Sequence, residues 1–370
     1  MHLVLNIPLW AASCVSLAIS CGTFASSLLS ARLISVFGTG KITVLSVGLV
    51  AVSLFLFSFS GNLYFLCLCA LPLGMGAGAI DAGLNNYVAI NYNALHMNWL
   101  HCFWGAGASL GPIIMSRFLS GGNEKWFMGY RAVAAIQICL FFILVVSLPL
   151  WRSGNAGAGK HPESEKKSFF GVRDALKTRG VKSLCSCFIC YCGLEVTAGI
   201  WTSSFLVHEH GLTSQSAARW TTLFYGGVAI GRFFSGFLAV RLKGLKLLRL
   251  GFLIIAISIA FISVPFINIH TSPGALFLGF SFFMLGAGCA PVFPTLMHET
   301  PRLFGVKKSQ GVIGLELSAS YLSASISPAI FGVLAQTTSF KLFTVVLGAF
   351  LAAKIVLVEK VYALKKNALI

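Results

Sequence analysis

The sequence predicts an all-α integral membrane protein, two helix bundles around a central cavity. Three observations carry that expectation. Hydrophobic residues make up 57% of the 370 and charged residues only 10%, against roughly 25% charged in soluble domains. So little charge cannot coat a water-exposed surface, which excludes a soluble enzyme, a disordered chain and a nucleic-acid binder. Apolar runs of about 20 residues, the length that crosses a bilayer core, recur along the whole chain. Lysine and arginine gather in alternate connections between those runs, as orientation signals do.

Taken in order, the runs fall at 7–33, 41–60, 63–91, 97–119, 127–151, 183–207, 214–240, 246–268, 273–298, 309–335 and 340–360. The first could be taken for a signal peptide. It lacks a basic n-region and a small-x-small cleavage site, so it reads as a membrane helix. Most connections are short. The exception is the basic, Gly/Ser-rich stretch 152–182, a linker between a five-helix bundle (1–151) and a six-helix bundle (183–370). Its segment 168–179 is expected to form a surface amphipathic helix. Arg32, Lys41, the linker, Arg241, Lys243, Lys246, Arg249, Arg302, Lys307, Lys308 and the C-terminal lysines share one side. Arg117, Lys125, Arg131, Arg219 and Lys341 hold the other. The asymmetry places the linker and C-terminus in the cytoplasm and Met1 outside. It also accounts for the net charge of +17 without a nucleic-acid partner.

The 11 cysteines lie almost entirely within apolar runs. Their odd number and the lack of loop pairs argue against a disulfide framework. The string "CSCFICYC" (185–192) contains C-x-x-C, but it opens an apolar helix, where cysteine behaves as a small hydrophobe. No metal or cofactor is expected.

The chain also repeats itself. "GTFASSLLSARLISVFGTGK" (22–41) aligns without gaps on "GVAIGRFFSGFLAVRLKGLK" (227–246). Farther on, "GAGA" (76–79) aligns on "GAGC" (286–289), and the Pro112 run on the Pro328 run. Their common order points to two halves of the same topology, a transporter architecture. The first half lacks one helix of such a repeat, which would precede residue 7.

On these residues the chain resembles the major facilitator superfamily, and within it the fucose-permease-like sugar transporters. The resemblance rests on "GAGAIDAGLNNYVAINYNALHMNWLHCFWGAGASLGP" (76–112), "GLEVTAGIWTSSFLV" (193–207), "GRFFSGFLAVRL" (231–242) and "APVFPTLMHETPRLFG" (290–305). It implies twelve helices in two six-helix bundles, a central cavity and alternating access, here without the first helix. Such transporters usually carry Asp before Arg in the loop after that region, whereas Ala31 precedes Arg32 here. Arg32, Lys41, Arg232 and Arg241 are the candidates for gating contacts.

Charge at the bilayer centre costs about 2.5–3.5 kcal/mol on insertion scales, so acidic residues in the runs are functional candidates. Asp81 shares a helix face with Asn85 at i, i+4, with Asn86 and Tyr87 beside it. The resemblance implies proton coupling for Asp81 and sugar-hydroxyl contacts for Asn85 and Asn86. The alternative is an interhelical hydrogen bond to Asp81. Glu195, with Thr202 on its face and Trp201 near, is a second coupling candidate. Glu316 is a third, heading a stripe with Ser320, Ser323 and Ser327. Each belongs either to a wet cavity or to a helix–helix contact. Asn98, His101 and Gly105 fall on one face of the fourth run, with Trp104 adjacent; His101 could donate to a sugar or relay a proton, and Asn98, Thr202 and Ser320 are further substrate-binding candidates. Tyr87, Trp104, Trp201 and Tyr225 could stack on a pyranose. Glu299 is expected to pair with Arg302 or a lysine.

Together these features imply a monomeric, multi-pass protein of the cytoplasmic membrane, a proton-coupled symporter of a sugar or similar small polar solute. The alternatives are a drug or metabolite efflux antiporter, suggested by Gly107-x-x-x-Gly111-Pro112, and a truncated homologue that does not transport. An intramembrane enzyme lacks a constellation such as H-E-x-x-H.

Overall fold

A computed structural model describes residues 11–119, 125–153, 171–242, 244–264 and 272–366. Its elements are helices α1 (Ala11–Phe37), α2 (Thr39–Phe57), α3 (Leu63–Asn91), α4 (Ala94–Leu119), α5 (Trp126–Ser153), α6 (Val172–Lys177), α7 (Val181–His210), α8 (Ser214–Arg241), α9 (Leu245–Ile262), α10 (Ser272–Cys289), α11 (Val292–Phe304), α12 (Val306–Thr337) and α13 (Leu342–Lys366). No strand occurs among the described residues. Among the described residues, ten spans are long and apolar enough to cross a membrane. The fourth expected run is one further 26-residue helix, α4.

Three expectations need adjusting. The run 273–298 is not one helix: it breaks at Ala290–Pro291 into α10 and α11, since a proline cannot donate the backbone bond that continues a helix. The linker helix is the six-residue α6, with Ala175 buried; positions 168–170 and most of the linker lie outside the described residues, as does Lys243. The first helix runs on to Phe37 and stops at Gly38, whose φ of 80° begins the turn into α2.

The helices group into two compact units that do not follow the two halves of the sequence. Among the described residues, unit 1 comprises 11–91, 106–119, 125–153, 171–175 and 306–318. Unit 2 comprises 92–105, 176–242, 244–264, 272–305 and 319–366. The start of α12 therefore packs in unit 1, and the start of α4 in unit 2.

Each unit is organised around one helix pair in backbone contact. In unit 1, α1 lies along α3. A methyl group on Gly22 would strike the Leu71 carbonyl, and one on Gly74 the Ile19 carbonyl. In unit 2, α8 lies along α10. Gly227 meets the Phe283 carbonyl and Gly286 the Phe224 carbonyl in the same way. Lipid offers no hydrophobic force between helices, so close approach through small residues is what holds such pairs together.

These contacts also refine the repeat. Gly22 corresponds to Gly227, as the sequence alignment has it. Gly74 corresponds to Gly286, and Gly76, against Ser46 and Val50, to Gly288, against Gly251 and Ile255. The second matching segment is therefore 74–78 on 286–290, two residues from the register read off the GAGA and GAGC strings. Glycine spacing in those strings is regular enough to match at either register, and only the helix contacts distinguish them. The Gly107-x-x-x-Gly111 pair, by contrast, is no site of close approach: a methyl on either glycine meets nothing within 4 Å.

Replacing Gly74 or Gly286 by alanine should therefore destabilise the fold by about 1–3 kcal/mol, the range for an overpacked contact. Gly226→Ala, where a methyl group meets open space, should change it by less than about 0.5 kcal/mol. Thermal and denaturant unfolding in detergent, followed by helical circular dichroism, measures both.

Candidate functional site

In unit 1 the polar groups gather on α3. Asp81 sits about two-thirds along that helix and is partly exposed. The Asn85 amide donates to both the Asp81 backbone carbonyl and its Oδ1, each at 2.9 Å. The i, i+4 spacing thus places the amide where it holds the carboxylate. One turn on, Asn86 is buried and its Oδ1 accepts from Ser309 Oγ of α12 at 2.6 Å. Gln310 donates to Ser30 Oγ and to the Ala82 carbonyl at 3.2 and 3.3 Å. The same face of α12 continues with Gly314, where a methyl would strike the Ser27 carbonyl, and with Ser318, which donates to the Phe24 carbonyl at 3.3 Å. Glu316, also on this segment, is fully buried. Asn86 is thus engaged in holding α12 in this form of the protein, while Asp81 keeps partial exposure beside the fully buried Asn85.

Tyr87 faces elsewhere. Its ring packs on Trp151 at 5.1 Å. Both line a separate cavity of about 310 Å³ with Lys41 at the α1–α2 turn. Arg32 and Lys41 are exposed.

In unit 2 the centre is a buried ion pair. Arg232 donates through Nη2 to Glu195 Oε1 at 3.1 Å, with the two side chains only 7% and 17% exposed. Arg232, one of the gating candidates, is thus paired inside its helix. The helix α8 continues to Arg241, nine residues on, which puts Arg232 roughly 14 Å inside it. A cation there needs a carboxylate rather than water. Glu195 accordingly is a structural counter-ion as well as a coupling candidate. Trp104 lies over the Arg232 guanidinium at 5.8 Å and is largely exposed. His101 is buried, edge-on to Phe293 at 5.0 Å. Asn98 is fully buried with both ends engaged: its amide donates to the Ala94 carbonyl, and its Oδ1 accepts from Ser235 at 2.6 Å. The polar face of α4 is thereby brought to Arg232.

The remaining candidates of unit 2 are helix-packing groups in this form. Thr202 is fully buried and donates to the Ala198 carbonyl. Trp201 donates from its indole to the Pro328 carbonyl at 2.9 Å and packs on Phe331 and Phe340. Tyr225, half exposed, rests its hydroxyl against Gly199. Ser320 is buried beside Cys192. Ser323 donates to the Ile189 carbonyl at 2.7 Å and lies 3.0 Å from Ser327, so the lower part of the serine stripe joins α12 to α7. Glu299 pairs with Arg302 at 3.3 Å and accepts from Tyr362 at 3.4 Å. Arg241 is exposed at the end of α8.

One group escaped the sequence reading. Lys354, in the middle of α13, is fully buried, and its Nζ has no hydrogen-bond partner among the described residues. It lies over the rings of Tyr191 and Phe252 at 5.0 and 4.9 Å, the geometry of cation–π contacts. Tyr191 in turn donates to the Cys289 carbonyl at 3.1 Å, just before the α10–α11 break. A lysine amid the run 340–360 was the available signal.

Among the described residues no group of three or more histidine, cysteine or acidic side chains is placed to hold a metal.

Comparison with known proteins agrees with this architecture. The family model of the Major Facilitator Superfamily matches residues 5–185 and again 183–367, once for each half of the repeat. The chain belongs to that superfamily, and its fold is that of a membrane transporter. Among solved structures it is similar to the E. coli fucose:proton symporter, at 14% identity and a TM-score of 0.75, covering 95% of this chain and 91% of the other. It is also similar to a proton:xylose symporter, at 12% identity and a TM-score of 0.72 over 98% and 89% of the two chains. A human organic anion transporter gives 17% identity and a TM-score of 0.69 over 96% and 87%. At such identities the likeness is one of fold. A search of curated proteins finds no match.

The buried pair yields a test of its own. Glu195→Gln should cost about 3–5 kcal/mol, because it leaves the Arg232 charge uncompensated in the helix interior. The double substitution Glu195→Gln with Arg232→Met should recover most of that loss. A double-mutant cycle from denaturant unfolding in detergent reads the coupling.

Proposed function

We propose that this chain is a multi-pass transporter of the cytoplasmic membrane that moves a sugar or similar small polar solute together with protons, by alternating access. The observation that carries the proposal is the Asp81–Asn85 pair. A carboxylate inside a membrane-spanning helix is costly. Here the Asn85 amide donates to it at 2.9 Å and it remains partly exposed. A group so placed can exchange a proton with water, which a sealed structural carboxylate cannot.

In this mechanism Asp81 takes a proton from the outer side and substrate binds between the bundles. Rocking of the bundles then exposes both to the cytoplasm. Coupling follows from desolvation: a neutral carboxyl group crosses a closed, water-poor state far more cheaply than a carboxylate. Asn85 orients the acid. Trp104, exposed beside Arg232, offers a flat apolar face for a sugar ring, and Asn86 and His101 are polar partners that become available only when their present contacts open. Support for the solute class comes from the fold shared with fucose and xylose symporters, and from the amide and aromatic character of these groups.

Proteoliposomes with an imposed pH gradient and labelled monosaccharides provide the test. Wild-type protein should accumulate its substrate when the lumen is alkaline. Asp81→Asn should lose accumulation by at least about tenfold while still equilibrating substrate downhill, since the binding amides are retained. Equal accumulation by the two proteins would remove Asp81 from coupling.

A further inference from the structure

We infer that the groove between α8 and α9 is a binding site for one anionic phospholipid of the cytoplasmic leaflet. Both helices pack on α10 and leave between them a groove of about 580 Å³, within the size range of small-molecule sites. Phe234 and Leu238 of α8 form one wall, Leu250 and Ile254 of α9 the other. Phe234 and Leu238 are 62% and 37% exposed. In a bilayer no water is available to fill such a space, so its occupant is apolar.

Length and charge identify that occupant. From Gly231 to Arg241 the groove follows ten residues of helix, about 15 Å, half of a hydrocarbon core about 30 Å thick. It therefore spans a single leaflet. Arg241 closes one end of it; the guanidinium is exposed and in no ion pair among the described residues. Lys246, also exposed, follows in the first turn of α9. An acyl chain in the groove would bring its phosphate to these cations, and basic pockets between helices at the cytoplasmic surface select anionic headgroups. That this end is cytoplasmic rests on the distribution of basic residues among the loops.

The internal repeat supplies a contrast. Gly231, Gly251 and Ala287 form the floor of the groove. At the equivalent positions of α1, α2 and α3, in the register given by the helix contacts, stand Ser26, Ser46 and Met75, and Val36 stands in place of Arg241. The bulkier floor and the missing cation confine the site to the second repeat.

Purified full-length protein in nanodiscs of phosphatidylcholine doped with phosphatidylglycerol, analysed by native mass spectrometry after release, tests the assignment. The wild type should retain one phosphatidylglycerol in preference to phosphatidylcholine. Arg241→Gln should lower that retention roughly fivefold, the factor expected for one basic residue near anionic lipid. Leu238→Trp, which narrows the groove from an exposed position, should lower retention of either lipid. Equal retention of the two lipids by the wild type, retention unchanged in Arg241→Gln, or displacement of the lipid by inorganic phosphate alone would each overturn the proposal. No transport is measured, so this outcome is independent of the proposed symport.

Discussion

Two helix pairs whose backbones touch set the terms for the rest of this protein. Where α1 meets α3 and α8 meets α10, glycine faces a carbonyl oxygen on the opposite helix and there is no room for a single methyl group. In a bilayer, helices are not driven together by water, so this packing must come from shape. Close approach lets the flanking helices α2 and α9 seat their own backbones against the next glycine along, at Gly76 and Gly288. A three-helix layer is thus built twice from one pattern of small residues.

Charge is placed within that frame under a second constraint, that an ion in a helix interior needs a partner or water. The two units meet it differently. Unit 1 keeps Asp81 partly exposed with an amide beside it. Unit 2 neutralises Glu195 with Arg232 and sets Lys354 between aromatic faces. The first arrangement leaves a carboxylate partly accessible; the second pairs charge within the helix interior.

Most of the fold was legible in the sequence because helix length and apolar continuity are local properties. Ten spans and the further helix α4 fall where the apolar runs do, and the Asp81–Asn85 contact follows from spacing along one helix. Partners distant in sequence were not legible. Arg232 read as a candidate for gating contacts, and nothing local to its helix revealed that its partner is Glu195 on another one. Nor did the run that holds Asn98 reveal its partner Ser235, 137 residues away. The repeat register slipped by two residues because Gly-x-Gly matches itself at that shift.

The sequence by itself determined that this chain lies in a membrane, where its helices run, and that its two halves share an ancestry of form, since each of these rests on composition or on order along the chain. Tertiary structure alone decided which polar groups are committed and which remain open. Asn86 is taken by Ser309, Glu195 by Arg232 and Trp201 by Pro328. The physical reason is that a hydrogen bond in a low-dielectric interior depends on ångström-scale distances between residues far apart in the chain, and no local pattern encodes those distances.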